Sequence, residues 1–296
     1  KQGGTILGTS NRGHFASKVG AGGIRKIPAE YMAEAFATLR DLEVDALICV
    51  GGDGSLTTAL QFYEEGFPVV GVPKTIDNDL AATAMTFGFD SAIQVVADSL
   101  DRLHTTAESH SRVMVLEVMG RHAGWIALYG GIAGGASSIL IPEIPFQHER
   151  VAEAILERER QGFHSSLVVV AEGATTLGGS LVVENAGTGG EYRLGGIGDQ
   201  VSNKLAELTG KETRCTRLGH LQRGGSPTSL DRVLGMRFGV KAVKLIEEKR
   251  FGRMVSYQQY HVGSVKIEDA VRKLNLVDPD GEVVEAAKAV GICFGD

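Results

Sequence analysis

Lys74, Thr75, Asp77 and Asp79 fall within six residues of one another, in VPKTIDNDL (72–80), directly after an apolar run. Carboxylates two residues apart are not independent in charge, so their proximity calls for a positive group in the space they face. One carboxylate facing an alcohol can take its proton during attack on a phosphoryl group. A second nearby helps hold a metal ion, whose charge relieves the repulsion. The bland alternative is an Asx-rich turn in solvent.

Four further stretches carry residues of the same kind. GGDGS (51–55) also follows an apolar run and opens a helical pattern. Its glycines let a backbone approach an anion at a helix N-terminus, and Asp53 suits a Mg²⁺ that bridges phosphate oxygens. Read alone, the stretch is equally a plain strand-to-helix turn. MGRHAGW (119–125) sets Arg121 beside glycines, as a donor that neutralises a transferring phosphoryl group or as a surface ion pair. LGHLQRGGSP (218–227) offers His220 and Arg223 around a glycine turn, suited to a sugar phosphate or to a simple connection. VVVAEG (168–173) ends in Glu172, an acceptor for sugar hydroxyls or a helix-capping charge.

The elements that must position these residues alternate. Strand-length apolar runs stand at 44–50, 67–72, 112–119, 137–142, 166–172 and 213–219. The first of them reads as a buried strand. Helical patterns stand at 55–65, 89–107, 122–134, 148–161, 196–209 and 229–248; Ile93, Val96, Leu100 and Leu103 give the second a single apolar face. Strand, Gly-rich turn and helix in repetition imply an α/β fold with a parallel sheet covered on both faces. In such sheets ligands lie beyond the carboxyl ends of the strands. Asp53, Asp77, Arg121, Glu172 and His220 all fall there.

Composition narrows the classes. At 296 residues, one large or two medium domains are expected. No run approaches the length of a membrane span, and no signal-peptide pattern stands at Lys1. The net charge of −6 argues against non-specific nucleic-acid binding. Three scattered cysteines (Cys49, Cys215, Cys293) lack metal-ligand spacing and fit reduced core thiols in a cytoplasm. The 40 glycines suit many tight strand-to-helix turns.

Together, GGDGS, PKTIDND, MGRHAGW, LGHLQRGGSP and the terminal VGICFGD resemble the 6-phosphofructokinase family, in consistent order along the whole chain. The resemblance implies two Rossmann-like three-layer domains with mostly parallel sheets and an active site in the cleft between them. It divides the chain into 1–88 with 222–272 (nucleotide) and 89–221 with 273–296 (sugar phosphate). It implies a cytoplasmic enzyme that phosphorylates fructose 6-phosphate, with ATP as co-substrate and Mg²⁺, in a homo-oligomer, tetramer or dimer. It makes Asp77 the base for the sugar's 1-hydroxyl, with Thr75 beside the reacting groups and Arg121 on the transferring phosphoryl. Asp53 becomes the Mg²⁺ ligand, with Asp79 supporting. Gly52, Gly54 and Ser55 would lie against the nucleotide phosphates. Met119, Gly120, Glu172, His220 and Arg223 would bind the sugar, and Arg112 and Arg214 would reach a neighbouring subunit's site.

Two departures from the family pattern matter. An arginine that reaches the nucleotide phosphates is replaced by Asn11 in GTSNRG (8–13), with Arg12 next to it as the substitute. The family's first strand and Gly-rich loop would precede Gly3, so the chain reads as a fragment with an exposed sheet edge and apolar face. The donor is marked by two positions. The pyrophosphate-using branch tends to carry aspartate where Gly54 stands and lysine where Lys74 stands. An aspartate at 54 would fill the volume of a nucleotide's α-phosphate and mimic its charge; Gly54 leaves it open, favouring ATP over pyrophosphate. NAD kinases and diacylglycerol kinases share the GGDG turn but not the other motifs, and a dinucleotide dehydrogenase would need a G-x-G-x-x-G turn. An inert or regulatory paralogue is the non-enzymatic reading, and the joint presence of Asp53, Asp77, Arg121 and Arg223 argues against it.

Overall fold

The computed structural model describes residues 4–9, 13–19, 23–186 and 192–296. Arg12, the substitute phosphate contact, lies outside the described residues. The chain divides into two compact units, one of Lys1–Phe89 with Pro227–Asn275, the other of Asp90–Thr188, Tyr192–Ser226 and Leu276–Asp296.

In the first unit, α1 (Ala29–Asp41), β1 (Leu47–Gly51), α2 (Asp53–Glu64) and β2 (Val69–Thr75) follow in order. In the second unit come α3, which spans Phe89–His110, then β3 (Val113–Val118), α4 (Trp125–Ala133) and β4 (Ser138–Leu140). They continue with α5 (His148–Arg160), β5 (Ser166–Ala171), α6 (Ile197–Thr209) and β6 (Thr213–Arg217). The chain then returns to the first unit with α7 (Ser229–Glu247), the hairpin β7 (Arg253–Gln258) and β8 (His261–Lys266), and α8 (Ile267–Val271).

The first unit's sheet runs β8–β7–β2–β1, with β1, β2 and β7 parallel and β8 antiparallel at one end. Leu47, Val69 and Met254 face Met32, Leu56, Phe62 and Ile267 on the α1, α2 and α8 side. Val70, Val72 and Val255 face Leu234, Phe238, Ala242 and Leu245 of α7 on the other. This is a three-layer arrangement. The sequence pattern implies burial on both faces for all the strands, and β1 departs from it. Ile48 and Val50 are 40% and 53% exposed. They lie level with Val70 and Val72, but α7 covers β2 and β7, one strand away.

The second unit's sheet, β6–β3–β5–β4, is parallel throughout. Every residue of β3 and β5 is buried, as expected of central parallel strands under helices on both faces. Val113, Val115, Val168 and Val170 pack against Val151 and Ile155 of α5 and Val201 and Leu205 of α6. On the opposite face α3 and α4 approach closely. A Cβ on Gly130 would lie 2.6 Å from the Val96 side chain, so glycine is needed for that contact.

Helix α1 and the β7–β8 hairpin are absent from the expected pattern. Alternating Met254, Ser256 and Gln258 with half-exposed β8 neighbours give the hairpin no continuous apolar run.

Phe238 is fully buried between α7 and β2. Phe238→Ala is expected to cost ~3–5 kcal/mol of stability, measured by chemical denaturation; a loss below ~1 kcal/mol would show that α7 does not carry this layer.

Candidate active site

In the first unit, two turns sit side by side because β1 and β2 are parallel, with Gly51 level with Pro73. The GGDGS turn is tight: a Cβ on Gly51 would fall 2.4 Å from that of Ser55. Gly52 is the N-cap residue of α2, and its carbonyl accepts from Leu56 N–H. Gly52 also lies against Thr75, whose Cβ would stand 3.1 Å from any Cβ added there. Asp53 is half-buried in the first helical turn, near the positive end of the helix dipole. A Cβ on Gly54 would meet no atom within 4 Å, so the space beside it is open.

The neighbouring tip carries Lys74, Thr75, Asp77 and Asp79, all half-buried. Asp77 N–H donates to Thr75 Oγ1 at 3.2 Å, and Thr75 Oγ1 lies 3.3 Å from Asp77 Oδ2. Between the aspartates, Asn78 is buried and left-handed at φ +52°, a conformation asparagine tolerates better than most residues. Its Oδ1 accepts from Thr86 N–H at 2.9 Å, while Thr86 Oγ1 donates to Thr75 O at 2.8 Å. Asn275 closes the other side, its N–H donating to Asp79 O and its Nδ2 to Asn78 O. The two aspartates are thus set on a loop anchored by buried neutral groups.

In the second unit, the tips of β6, β3 and β5 meet. Gly173 N–H donates to Gly120 O at 3.1 Å and Glu172 N–H to Val118 O at 2.9 Å. A Cβ on Gly173 would lie 2.0 Å from Arg121 O, and one on Gly120 (φ +145°) would lie 2.9 Å from Ala123 O, so only glycines permit this approach. Met119 and Gly120 are buried, Arg121 and Glu172 half-buried. After β6 the chain makes a 3₁₀ turn, Gly219–Arg223, with His220 and Arg223 exposed and Gln222 buried. Gln222 Oε1 accepts from Met119 N–H at 2.6 Å and ties the turn to the β3 tip.

Arg112 and Arg214 do not join these tips. They sit at the opposite, N-terminal ends of β3 and β6, with Arg112 paired to Glu212 at 2.8 Å and Arg214 to the same carboxylate. Seven residue steps separate Arg112 from Met119, about 23 Å at ~3.3 Å per residue.

Among the described residues no three His, Cys, Asp or Glu side chains form a self-contained metal cage. The three cysteines are free thiols, and burial pushes Cys49 up to about 11 and Cys215 up to about 12. All three are half-buried and stay protonated at neutral pH.

Asn78, Thr86, Gln222 and Glu143 are the positioning residues that motif reading passes over. The first three sit in or beside the motifs, but only tertiary contacts reveal what they hold. Glu143 lies outside them, in IPE (141–143). It accepts from Gly124 N–H at 2.9 Å and Val277 N–H at 2.9 Å and so fixes the loop that follows Arg121.

These features make an α/β protein with tight glycine turns and charged side chains at its strand tips. The chain belongs to the phosphofructokinase family, whose description, Phosphofructokinase, matches residues 1–246. It is 50% identical to the ATP-dependent 6-phosphofructokinase of Chloroflexus aurantiacus over 295 residues, covering all of this chain and 81% of the relative. It is also 48% identical to the pyrophosphate–fructose 6-phosphate 1-phosphotransferase of Amycolatopsis methanolica, covering 94% of this chain and 79% of that protein. Among solved structures, Saccharomyces cerevisiae phosphofructokinase superposes with a TM-score of 0.76 at 32% identity, covering 92% of this chain. The chain spans 37% of that yeast chain's length.

Burial raises the pKa of Glu143, and the backbone donors from Gly124 and Val277 offset this only in part. A carboxyl whose folded pKa lies above its unfolded value contributes most below the unfolded pKa and loses stability as pH rises through the folded one. Glu143→Gln keeps the acceptor and removes the titration. Its melting temperature relative to the parent is expected to climb as pH rises from about 4 towards neutrality. A difference that stays flat with pH would contradict the burial argument.

Proposed function

We propose that the protein transfers the γ-phosphoryl group of ATP to the 1-hydroxyl of fructose 6-phosphate, giving fructose 1,6-bisphosphate and ADP. The observation that carries this reading is the Thr75–Asp77 tip packed against the GGDGS turn, in a chain half identical to an ATP-dependent 6-phosphofructokinase. Asp77 takes the proton of the 1-hydroxyl as its oxygen attacks the γ-phosphorus and the bond to ADP breaks. Thr75 fixes the carboxylate's orientation, and Lys74 and Arg121 offset the charge on the transferring group. Such transfer needs alignment and charge neutralisation more than covalent help. Gly52, Gly54 and Ser55 bring backbone N–H groups to the nucleotide phosphates.

Mg²⁺ takes one or two protein carboxylates and completes its octahedron with phosphate oxygens and water. Asp53 at the head of α2 and Asp79 beyond Asp77 match that donor set and would hold it; when bound, the ion neutralises charge on the phosphate chain. Met119, Gly120, Glu172, His220 and Arg223 bind the sugar phosphate. The position of Arg112 and Arg214 at the far ends of their strands supports a homo-oligomer in which they serve a neighbouring subunit's site. No helix among the described residues is long and apolar enough to cross a membrane.

Asp77→Ser is expected to lower kcat by about 10³-fold with the KM for fructose 6-phosphate little changed, the mark of a lost transition-state role. Steady-state assay with ATP, Mg²⁺ and fructose 6-phosphate checks it; a raised KM at unchanged kcat would make Asp77 a binding residue instead. The donor rests on Gly54. A Cβ there meets no protein atom within 4 Å, so Gly54→Asp should fold normally, lose ATP use and leave room for pyrophosphate. Retained ATP activity in that variant, or parent activity with pyrophosphate alone, would overturn ATP as donor.

A further inference from the structure

The hydrogen bond from Met119 N–H to Gln222 stands where the β3–β6 ladder stops. Along this parallel pair, Leu218 N–H donates to Glu117 O at 3.0 Å. Were β6 to continue, the next rung would run from Met119 N–H to the carbonyl of Leu218. That carbonyl is instead used to close the 3₁₀ turn, accepting from Leu221 N–H at 3.1 Å. The Gln222 carboxamide supplies the missing acceptor, at 2.6 Å. Because its partner is a peptide N–H, Oε1 must face Met119, which fixes the amide's orientation. Gln222 is 3% exposed, while its neighbours His220 and Arg223 are exposed.

One side chain therefore performs two tasks at once. It satisfies a buried backbone donor, and it sets the distance from the His220–Arg223 turn to Met119, Gly120 and Arg121. We propose that Gln222 is a positioning residue of the phosphofructokinase reaction, holding the sugar-phosphate-binding turn in register with the loop that bears Arg121. The proposal rests on the sugar-site roles given above. A sugar phosphate held by His220 and Arg223 would otherwise present its 1-hydroxyl out of line.

The test is Gln222→Met, close in volume but without the amide acceptor, beside Gln222→Glu, which keeps an acceptor in place. In the Met variant the KM for fructose 6-phosphate should rise and kcat should fall, each about tenfold or more, since a displacement of ~1 Å is enough for such losses. The KM for ATP should stay within about twofold of the parent. The Glu variant should recover most of kcat. Thermal melting of both verifies folding. If the Met variant melts lower but keeps both parent constants, or if the two KM values rise together, the bond is structural only and the proposal is overturned. His220→Ala and Arg223→Ala separate the two readings. If both raise the KM for the sugar while Gln222→Met does not, the positioning role alone fails. If neither raises it, the sugar-site assignment fails and the proposal goes with it.

Discussion

Parallel strand pairing delivers neighbouring tips to the same level, and the candidate chemistry depends on that one constraint. Val118 pairs with Ala171 and Glu117 with Arg217 in the second sheet, and Gly51 pairs with Pro73 in the first. Both faces of a central parallel strand are committed to the core, so β3 and β5 have no room for an ionised side chain aimed at solvent. Charged side chains reach solvent only where these strands end; Glu117, the one acidic residue within β3, is buried and accepts from Gly198 N–H at 2.7 Å. Once the registers are set, the GGDGS and Asp77 tips lie side by side in the first unit, and the Arg121 and Glu172 tips do so in the second.

Convergence still requires close backbone approach, which explains where glycine is obligatory. Gly173 and Gly120 interlock through their peptide groups, and a methyl on Gly173 would overlap the carbonyl of Arg121. The same logic governs Gly51 under Ser55. Gly54 differs in kind. Its surroundings are open and its φ is not left-handed, so packing does not demand glycine there. A glycine without a structural reason, in a turn that faces phosphate, points to a ligand's need for volume.

The sequence made the α/β class legible because β1, β3 and β5 are apolar runs closed by glycine-bearing turns. The main helices were equally plain, α3 through the single apolar face of Ile93, Val96 and Leu100. The tips carrying Asp53, Asp77, Arg121, Glu172 and His220 followed from the strand ends. What stayed hidden depends on distant partners. The β7–β8 hairpin has weak alternation because β8 is half solvated. The exposure of Ile48 and Val50 is set by which strands α7 reaches, and no local pattern encodes that. Glu143 sits remote from every motif, and its role exists only through Gly124 and Val277.

The anchors of these loops differ in charge. Asn78, Thr86 and Asn275 hold the Asp77 loop, and Gln222 holds the His220–Arg223 turn, all of them neutral. An ionised anchor within a few ångströms of Asp77 would shift its proton affinity. The carboxylate anchor, Glu143, grips its loop at Gly124, three residues beyond Arg121. Neutral amides and hydroxyls can enforce geometry without adding a net charge of their own. A site built this way separates the task of holding its loops from the task of stabilising charge.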